Sequence, residues 1–480
     1  MTPPISHNKI RPKDGFDRRR FLAFGGGLMV TAVLASCSAA TPIQKAVGTD
    51  LRKAIRGRVL LPDDPEFAAA RMPWNRTVDQ PVLAVVKLAD AADATTLVDY
   101  ARRTGLPISV QPNGHGAAPG VDGTILVRTT HLDETTIDPA ARVARIGAGV
   151  AWDQVQRAAE PHGLTGLVGS SPAVSVVGYT LGGGSSWFGR KHGWAAKKLT
   201  AVEAVTADGN QVRATANAEP DLFWALSGGG GDFALVTAIE FGLVPAPDIY
   251  GGRMLWPAKQ ALSVFAAYRE ITSTAPDELA VWIQLARPPG REPLVGIESA
   301  YLGGTAEAER LLAPFATIDG CLSNTHAVQS VSTLGSITAE PTAPTPSLAY
   351  TQLLDTLDDS VVHMLLEQPI DPLIGVQIRH LAGAFTTPWN GPADAITAPY
   401  QITFQGAAPT PESKPAVQDR IQRFLTALAP HLDPRTPFTF LAPGQSATNA
   451  FTPGTLTELR RIKHTRDPNN LFRSNYPVLD

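Results

Sequence analysis

The residue with the clearest chemical potential is a histidine that lies between two glycines. Residues 110–120 read Val-Gln-Pro-Asn-Gly-His-Gly-Ala-Ala-Pro-Gly, which places His115 between Gly114 and Gly116. Glycine allows the backbone to come close to another group, and an exposed imidazole nitrogen can act as a nucleophile. The stretch therefore predicts a loop that holds a bound molecule against an imidazole. A loop histidine that only forms a hydrogen bond with nearby backbone is the simpler alternative.

Two further glycine-rich loops follow in the first half of the chain. One reads Gly-Tyr-Thr-Leu-Gly-Gly-Gly over residues 178–184, and the other is the run of four glycines at 228–231. Neither loop, nor the His115 loop, matches the G-x-G-x-x-G of a dinucleotide-binding motif or the Gly-Lys-Ser/Thr of a P-loop. Backbone N–H groups in such loops can still bind a diphosphate without side-chain charge. A single loop of this kind is consistent with a tight turn, but the three together predict one diphosphate site.

The elements that position these loops alternate between strand-like and helix-like patterns. Apolar, β-branched runs predict strands, and amphipathic periodicity predicts helices. The elements predicted in the first half are strands at 82–88, 106–111, 125–128 and 142–149 and helices at 66–74, 90–104 and 152–161. Because the strand at 106–111 runs directly into the His115 loop, we expect His115 to lie at the end of a strand.

The pattern changes after about residue 254, where the strands become longer. The elements predicted there are strands at 279–285 and 294–302, helices at 262–273 and 305–315, and loops in the Pro- and Thr-rich clusters at 340–348 and 405–415. This order favours an antiparallel sheet backed by helices. The chain as a whole is predicted to have an α+β fold.

Composition excludes several classes of function. The 480 residues carry 41 basic and 44 acidic side chains, a net charge of −3, which gives no basic footprint for nucleic acid. The two cysteines, Cys37 and Cys321, cannot form a disulfide framework or a cysteine-type zinc site. No cluster of His, Asp and Glu has the spacing of metal ligands, so no metal site is predicted.

The N-terminus resembles an export signal. Arginines at 18–20 precede a short apolar run at 21–35, which is too short for a stable membrane span. The paired arginines before Phe-Leu resemble a twin-arginine signal, and Leu-Ala-Ser-Cys at 34–37 resembles a bacterial lipobox. We therefore expect export by the twin-arginine route to the outer face of the cytoplasmic membrane or the cell envelope. A lipid anchor at Cys37 would be the sole attachment to the membrane, and an unprocessed leader is the alternative.

Several landmarks, in order along the chain, resemble one known family. They are Leu-Pro-Ile-Ser-Val-Gln-Pro-Asn-Gly-His at 106–115, Gly-Ala-Gly at 147–149 before Trp152, the glycine loop at 178–184, Asp-Leu-Phe-Trp-Ala-Leu-Ser-Gly-Gly-Gly-Gly-Asp-Phe at 221–233, and Asp-Pro-Asn-Asn-Leu-Phe-Arg-Ser-Asn at 467–475. Together they are similar to the FAD-linked oxidases of the vanillyl-alcohol-oxidase superfamily, in the berberine-bridge-enzyme-like branch. The resemblance extends from about residue 60 to 480.

That resemblance implies a domain organisation. A two-subdomain, PCMH-type FAD-binding domain is expected at 46–245, after a signal and tether at 1–45. A substrate domain with an antiparallel sheet backed by helices is expected at 246–445. Residues 446–480 are expected to return to the FAD-binding domain.

The resemblance also implies how FAD is held. His115 matches the position at which the family bonds the flavin covalently through its 8α-methyl group. Many relatives add a second bond from a cysteine, but Ser171 stands at that position here, so a single link is expected. The cofactor-binding residues implied by the resemblance are His115, Pro112, Asn113, Gly114, Gly116, Ser170, Ser171, Val174, Gly178, Thr180, Gly182, Gly230, Gly231, Val236 and Asn475.

The implied activity is the oxidation of an alcohol or carbohydrate-like small molecule by hydride transfer to FAD. Oxygen or an unknown carrier would then act as the electron acceptor. Relatives often use a tyrosine as the base, but the aligned residue here is Phe438, which cannot take a proton. His380 and Tyr476 are the candidate catalytic residues that remain. Arg379 and His380 alternate along a predicted strand, so at most one of them faces the flavin.

Two other functions stay open from the sequence. The missing tyrosine is consistent with a non-catalytic, cell-surface protein that retains a flavin. A nucleotide-sugar binding module would also use glycine-rich loops, but it needs no histidine among them.

Overall fold

The structure is a computed structural model that describes residues 50–479. The predicted twin-arginine signal and Cys37 lie outside the described residues. Beyond residue 55 the α-helices are α1 Phe67–Arg71, α2 Ala91–Thr104, α3 Trp152–Ala159, α4 Val176–Leu181, α5 Gly189–His192, α6 Pro220–Leu226, α7 Ala261–Thr274, α8 Thr305–Ala316, α9 Asp359–Glu367, α10 Lys414–Leu428 and α11 Pro453–Arg466. Among the described residues, none of the helices combines the length and the apolarity that crossing a bilayer requires.

The strands form small sheets in the first half and one large sheet in the second. They are β1 Arg58–Leu60, β2 Ala84–Lys87, β3 Ile108–Val110, β4 Ile125–Arg128, β5 Thr135–Asp138, β6 Val143–Gly147, β7 Leu164–Thr165, β8 Leu199–Val205, β9 Gln211–Ala214, β10 Leu235–Gly242, β11 Val244–Pro245, β12 Tyr250–Pro257, β13 Leu279–Ala286, β14 Leu294–Tyr301, β15 Ser323–Asn324, β16 Ala327–Val328, β17 Ser347–Leu354, β18 Leu373–His380, β19 Tyr400–Ala407 and β20 Leu432–Asp433. The α+β fold expected from the sequence is confirmed.

The first half is built on two sheets that share one hydrophobic core. The first has the order β1-β2-β4-β3, with β2, β4 and β3 parallel, and the second is the antiparallel sheet β5-β6-β10-β8-β9. Strand β4 is buried along its whole length, as expected for an apolar run in a parallel sheet. Helix α2 begins where the Asp90 side chain accepts hydrogen bonds from two backbone N–H groups of its first turn, and it buries Leu97, Val98 and Ala101.

The second half is a nine-stranded antiparallel sheet with helices packed on one face. Its order is β15-β12-β14-β13-β18-β19-β17-β20, with β16 also paired to β12. Helices α7 to α10 bury Phe265, Tyr268 and Phe424 against sheet residues such as Trp256 and Phe404. These residues form a second hydrophobic core, separate from that of the first half.

The predicted loop at 405–415 is only partly correct. Strand β19 continues to Ala407, and helix α10 begins at Lys414. Pro415 lies in the first turn of α10, where proline is tolerated because that N–H has no helical acceptor. Proline therefore marked a helix start rather than a loop.

The last residues lie against the first half of the chain. Beyond α11, the backbone pairs with β3, since the Ile108 N–H donates to the Leu471 carbonyl at 2.7 Å and the Arg473 N–H donates to the Ile108 carbonyl at 2.8 Å. This brings residues 473–476 to the strand end from which the His115 loop departs. The boundaries at 45, 245 and 445 stay predictions.

Candidate flavin site and adjoining cavity

The three glycine-rich loops lie around one cavity of about 220 Å³, called here the first cavity. It lies between the His115 loop, helix α4, the loop before β10 and the C-terminal segment. The predicted cofactor-binding residues that line it are Pro112, Asn113, Gly114, His115, Gly116, Val174, Gly178, Gly182, Gly230, Gly231, Val236 and Asn475. Residues that are more than 300 positions apart in the sequence thus meet at one place.

The imidazole of His115 is buried and has no hydrogen-bond partner on either nitrogen among the described residues. It stacks on the Trp74 indole, with ring centroids 4.2 Å apart and an interplanar angle of 18°. Burial lowers the pKa of His115 to about 4, so the ring is neutral at ordinary pH. Both ring nitrogens are therefore free of protein partners at the wall of the first cavity.

The backbone of the His115 loop is fixed by its neighbours. Gly114 has φ +76°, and a Cβ there would lie 2.7 Å from the Pro73 side chain, so another residue would be strained. The Trp74 N–H donates to the Asn113 carbonyl at 2.9 Å. The buried Arg128 guanidinium donates to the Gln111 carbonyl at 3.0 Å. The loop is therefore held in shape before any ligand arrives.

Backbone donors in this loop are unused. The N–H groups of residues 113–116 have no hydrogen-bond acceptor within the part of the chain that the structure describes. Consecutive free N–H groups of this kind form a site for an anion without side-chain charge. Such a row of donors is compatible with the diphosphate site that the glycine pattern predicts, which stays a prediction.

The side chain of Asn475 is oriented so that its NH₂ group faces the first cavity as a further hydrogen-bond donor. Its side-chain oxygen accepts hydrogen bonds from Gln80 Nε2 at 2.9 Å, Gln111 Nε2 at 3.2 Å and the Ala118 N–H at 3.1 Å. These three contacts fix the orientation of the amide. The Asn475 NH₂ group is left without a protein acceptor among residues 50–479 and lines the first cavity.

Phe438 lines the first cavity beside the glycine run at 228–231. Gly230 has φ +90°, and a Cβ there would lie 2.7 Å from the Phe438 ring. Only glycine therefore allows the ring and the loop to be in contact. The ring has no titratable group, so Phe438 contributes shape but no proton to this cavity.

A buried lysine, which the sequence did not reveal, ties the C-terminal segment to the glycine run at 228–231. Lys463 Nζ donates to the Asp232 carbonyl at 2.6 Å, the Asp467 carboxylate at 2.8 Å and the Phe472 carbonyl at 2.6 Å. The Asp232 carboxylate accepts from the Ser474 N–H at 3.0 Å. No local pattern signals this cluster, since Lys463 and Asp232 are 231 residues apart.

A second cavity, of about 320 Å³, adjoins the first. Ser170 and Ser171 line this cavity rather than the first, and Arg379, Phe440 and Glu340 form part of its wall. His115, Gly116, Val174, Tyr179 and Tyr476 line both cavities. The imidazole and the Tyr476 side chain therefore lie where the two cavities meet.

The structure does not bring His380 to either cavity. Alternation along β18 directs Arg379 to the second cavity and His380 to the opposite face. There His380 Nε2 lies 3.0 Å from Arg190 Nη1, and burial together with this cation lowers the pKa of His380 to about 3. The structure therefore places His380 outside both cavities, away from where the sequence-based prediction of a catalytic base put it.

Thr180 also lies outside both cavities. It follows Tyr179 in the short helix α4 and is only 2% exposed. Successive helical residues are rotated by about 100°, so the neighbours of Thr180 reach the cavity while Thr180 faces the core.

These features fit FAD. The unused N–H groups at 113–116 suit a diphosphate, and the Asn475 NH₂ group suits a carbonyl oxygen. The unpartnered imidazole of His115 suits a bond to the ligand itself.

Comparison with known proteins supports the same cofactor. Residues 82–215 match a family described as an FAD binding domain. Over 462 residues the chain is 27% identical to (R)-6-hydroxynicotine oxidase of Paenarthrobacter nicotinovorans, covering 88% of this chain and 97% of that protein.

The fold is shared with solved structures. The crystal structure of 6-hydroxy-D-nicotine oxidase from Arthrobacter nicotinovorans superposes with a TM-score of 0.76 at 23% identity, covering 87% of this chain and 97% of that one. A chitooligosaccharide oxidase superposes with a TM-score of 0.78 at 17% identity, covering 90% and 99%. With the matched FAD binding domain and a relative similar over 88% of the chain, the chain is an FAD-dependent oxidoreductase, and it shares the fold of these solved oxidases.

Proposed function

We propose that this chain is an exported flavoenzyme that carries FAD on a single covalent bond to His115. In this proposal it oxidises an alcohol or carbohydrate-like molecule bound in the second cavity. FAD, when bound, accepts a hydride from the substrate and passes the electrons to oxygen or to another acceptor. The observation that carries the proposal is the neutral, unpartnered imidazole of His115 at the junction of the two cavities.

Different residues of the site would have different roles in this proposal. The free N–H groups at 113–116 would hold the diphosphate, and His115 would fix the ring system. Ser171 is no substitute for the cysteine of relatives, since a neutral hydroxyl without a base is a poor nucleophile. Its Oγ is buried and has no partner in the described part of the chain.

The test is anaerobic reduction of the bound flavin by a panel of compounds. Sugars, oligosaccharides and alcohols should bleach the flavin absorbance, and amines such as 6-hydroxynicotine belong in the panel because the nicotine oxidases are similar to this chain. Admitting air or a dye afterwards distinguishes an oxidase from a dehydrogenase. A flavin that dithionite reduces but no compound reduces would contradict the proposal.

A non-catalytic flavin protein is the second candidate. Phe438 in place of a tyrosine and the position of His380 away from both cavities favour it. It predicts flavin that stays oxidised with every compound in the panel.

The stacking of Trp74 on His115 leads to one prediction. Trp74→Ala removes the surface that holds the imidazole plane, so the covalently bound fraction of flavin should fall about 10-fold or more, as small losses of positioning do. Trp74→Phe, which keeps an aromatic face, should retain most of the attachment. The fraction is measured as protein-bound flavin after acid precipitation, and equal attachment in the two variants would contradict a role for stacking.

The low pKa of His115 leads to another prediction. Only the neutral ring is nucleophilic, and a group with its pKa near 4 is already neutral well below pH 7. Covalent attachment to apoprotein should therefore proceed at the same rate between about pH 5.5 and 8. With an ordinary histidine, whose pKa is about 6.5, the rate of attachment would fall several-fold from pH 8 to pH 5.5. The rate is followed as acid-stable flavin, and a several-fold decline from pH 8 to 5.5 would contradict the buried, neutral imidazole.

A further inference from the structure

The side chain of Arg379 is buried, yet it forms no ion pair within residues 50–479. Its Nε donates to Gln377 Oε1 at 2.7 Å, and its Nη2 lies 3.5 Å from Ser170 Oγ. Among residues 50–479, no carboxylate lies within 4.0 Å of it, and its Nη1 has no acceptor. A guanidinium has five N–H donors in a rigid fork, so most of its donors remain unused at the wall of the second cavity.

Aromatic side chains fix the plane of this guanidinium. Its Cζ lies 3.9 Å from the centroid of the Trp282 ring, which itself stacks on Trp187 with centroids 3.6 Å apart. The Phe440 ring lies 5.6 Å away on another side. Stacking of this kind stabilises the cation and prevents it from rotating, so the free edge of the fork has one orientation.

Two carboxyl groups influence Arg379 without pairing with it. Glu298 is buried behind Gln377, which donates from Nε2 to Glu298 Oε2 at 3.0 Å. Burial raises the pKa of Glu298 to about 7, so its negative charge is incomplete at neutral pH. Glu340 lies in the wall of the second cavity together with Arg379. The charge of Arg379 is therefore not neutralised at short range, which is costly for a buried ion.

We propose that Arg379 binds a carboxylate of the substrate, so that the enzyme acts on small acids that also carry an oxidisable alcohol. A carboxylate accepts two parallel N–H bonds from a guanidinium, which uses the free donors and neutralises the buried charge in one step. Glu340 opposes such a ligand by like-charge repulsion and thereby limits its affinity. This assignment of substrate class rests on the proposed function, because it places the substrate in the second cavity.

The test compares acids with neutral molecules of the same shape. The probes are glucuronate with glucose, and 4-(hydroxymethyl)benzoate with 4-methylbenzyl alcohol. Binding to the holoenzyme is measured by calorimetry, and KM and kcat are measured for whichever members are oxidised. We expect the wild type to bind at least one acid more tightly than its neutral partner.

Variants separate the role of Arg379 from a general loss of structure. Arg379→Gln should weaken binding of the acid about 10- to 100-fold, as expected for hydrogen bonds to a charged group, and should leave binding of the neutral partner within about 3-fold. Glu340→Gln should tighten binding of the acid, because it removes the negative charge that repels the carboxylate. Arg287→Gln, at a half-exposed ion pair with Asp371, is the control.

The outcomes are distinct. Preference of the wild type for both neutral partners, or equal losses for acid and neutral probes in Arg379→Gln, would overturn the assignment of a carboxylate to Arg379. If no probe reduces the flavin, the proposed oxidation of these compounds is contradicted. Calorimetry still decides separately whether Arg379 binds carboxylates.

Discussion

Replacing Lys463 with methionine is expected to destabilise the protein by about 3–5 kcal/mol, the cost of removing one partner from a buried ion pair. Lys463 is completely buried, and so are the side chains of Asp232 and Asp467. Burial already raises the pKa of Asp232, while the nearby lysine opposes that shift. Without the ammonium group, two carboxylates remain in the core with no cation. They must take up protons or draw in water, and either response loosens the segment that carries Asn475.

The measurement is unfolding in urea at fixed pH, together with the flavin content of the purified protein. The Lys463→Met protein should unfold at lower urea and lose flavin, because Ser474 and Asn475 are positioned through Asp232. Arg461→Met is the matched control, since Arg461 is exposed on the same helix and pairs only with Glu458. Its effect on the urea midpoint should be small, because an exposed ion pair contributes little to stability. Equal stability of the two variants would show that the buried lysine is not essential to the C-terminal return.

Replacing Tyr476 with phenylalanine is expected to lower kcat about 100-fold or more, the usual contribution of a positioned proton donor or acceptor. The Tyr476 hydroxyl makes no hydrogen bond to any residue among 50–479, and the side chain lines both cavities. Burial raises the pKa of Tyr476, which keeps the hydroxyl protonated at neutral pH. We therefore propose the hydroxyl as a hydrogen-bond donor to substrate rather than as a base.

Steady-state kinetics and flavin content decide this prediction. Tyr476→Phe keeps the ring that packs edge-on against Phe438, with centroids 6.3 Å apart, so flavin content should not change. Tyr179→Phe is the matched control, because Tyr179 lines both cavities but its hydroxyl donates to the Leu167 carbonyl at 2.9 Å. Its kcat should change less than about 10-fold, well below the roughly 100-fold contribution of a positioned proton donor or acceptor. A kcat that is the same for Tyr476→Phe and the wild type would show that the Tyr476 hydroxyl takes no part in catalysis.

The part of the site nearest His115 could be predicted from the sequence. Its loop follows a strand, contains glycines that allow close approach, and matches a family pattern in order with two other loops. Local sequence determines each of these features. The α+β fold followed from the periodicity of helices and strands in the same way.

The remaining features depend on contacts between distant segments. Strand alternation separates Arg379 from His380, but only the packing of β18 decides which one faces the second cavity. Helical rotation turns Thr180 away from the first cavity, although Gly178, Tyr179, Leu181 and Gly182 line it. The partnership of Lys463 with Asp232 joins residues with no local relation, so no pattern in either segment could reveal it.

The central claim is a single covalent bond between FAD and His115, and intact-mass measurement of the acid-denatured protein tests it most directly. The wild type should be heavier than the bare chain by one flavin, the added mass should map to the peptide that contains His115, and His115→Ala should show no added mass. Flavin released from the wild type by acid, or attached to a peptide without His115, would contradict the account.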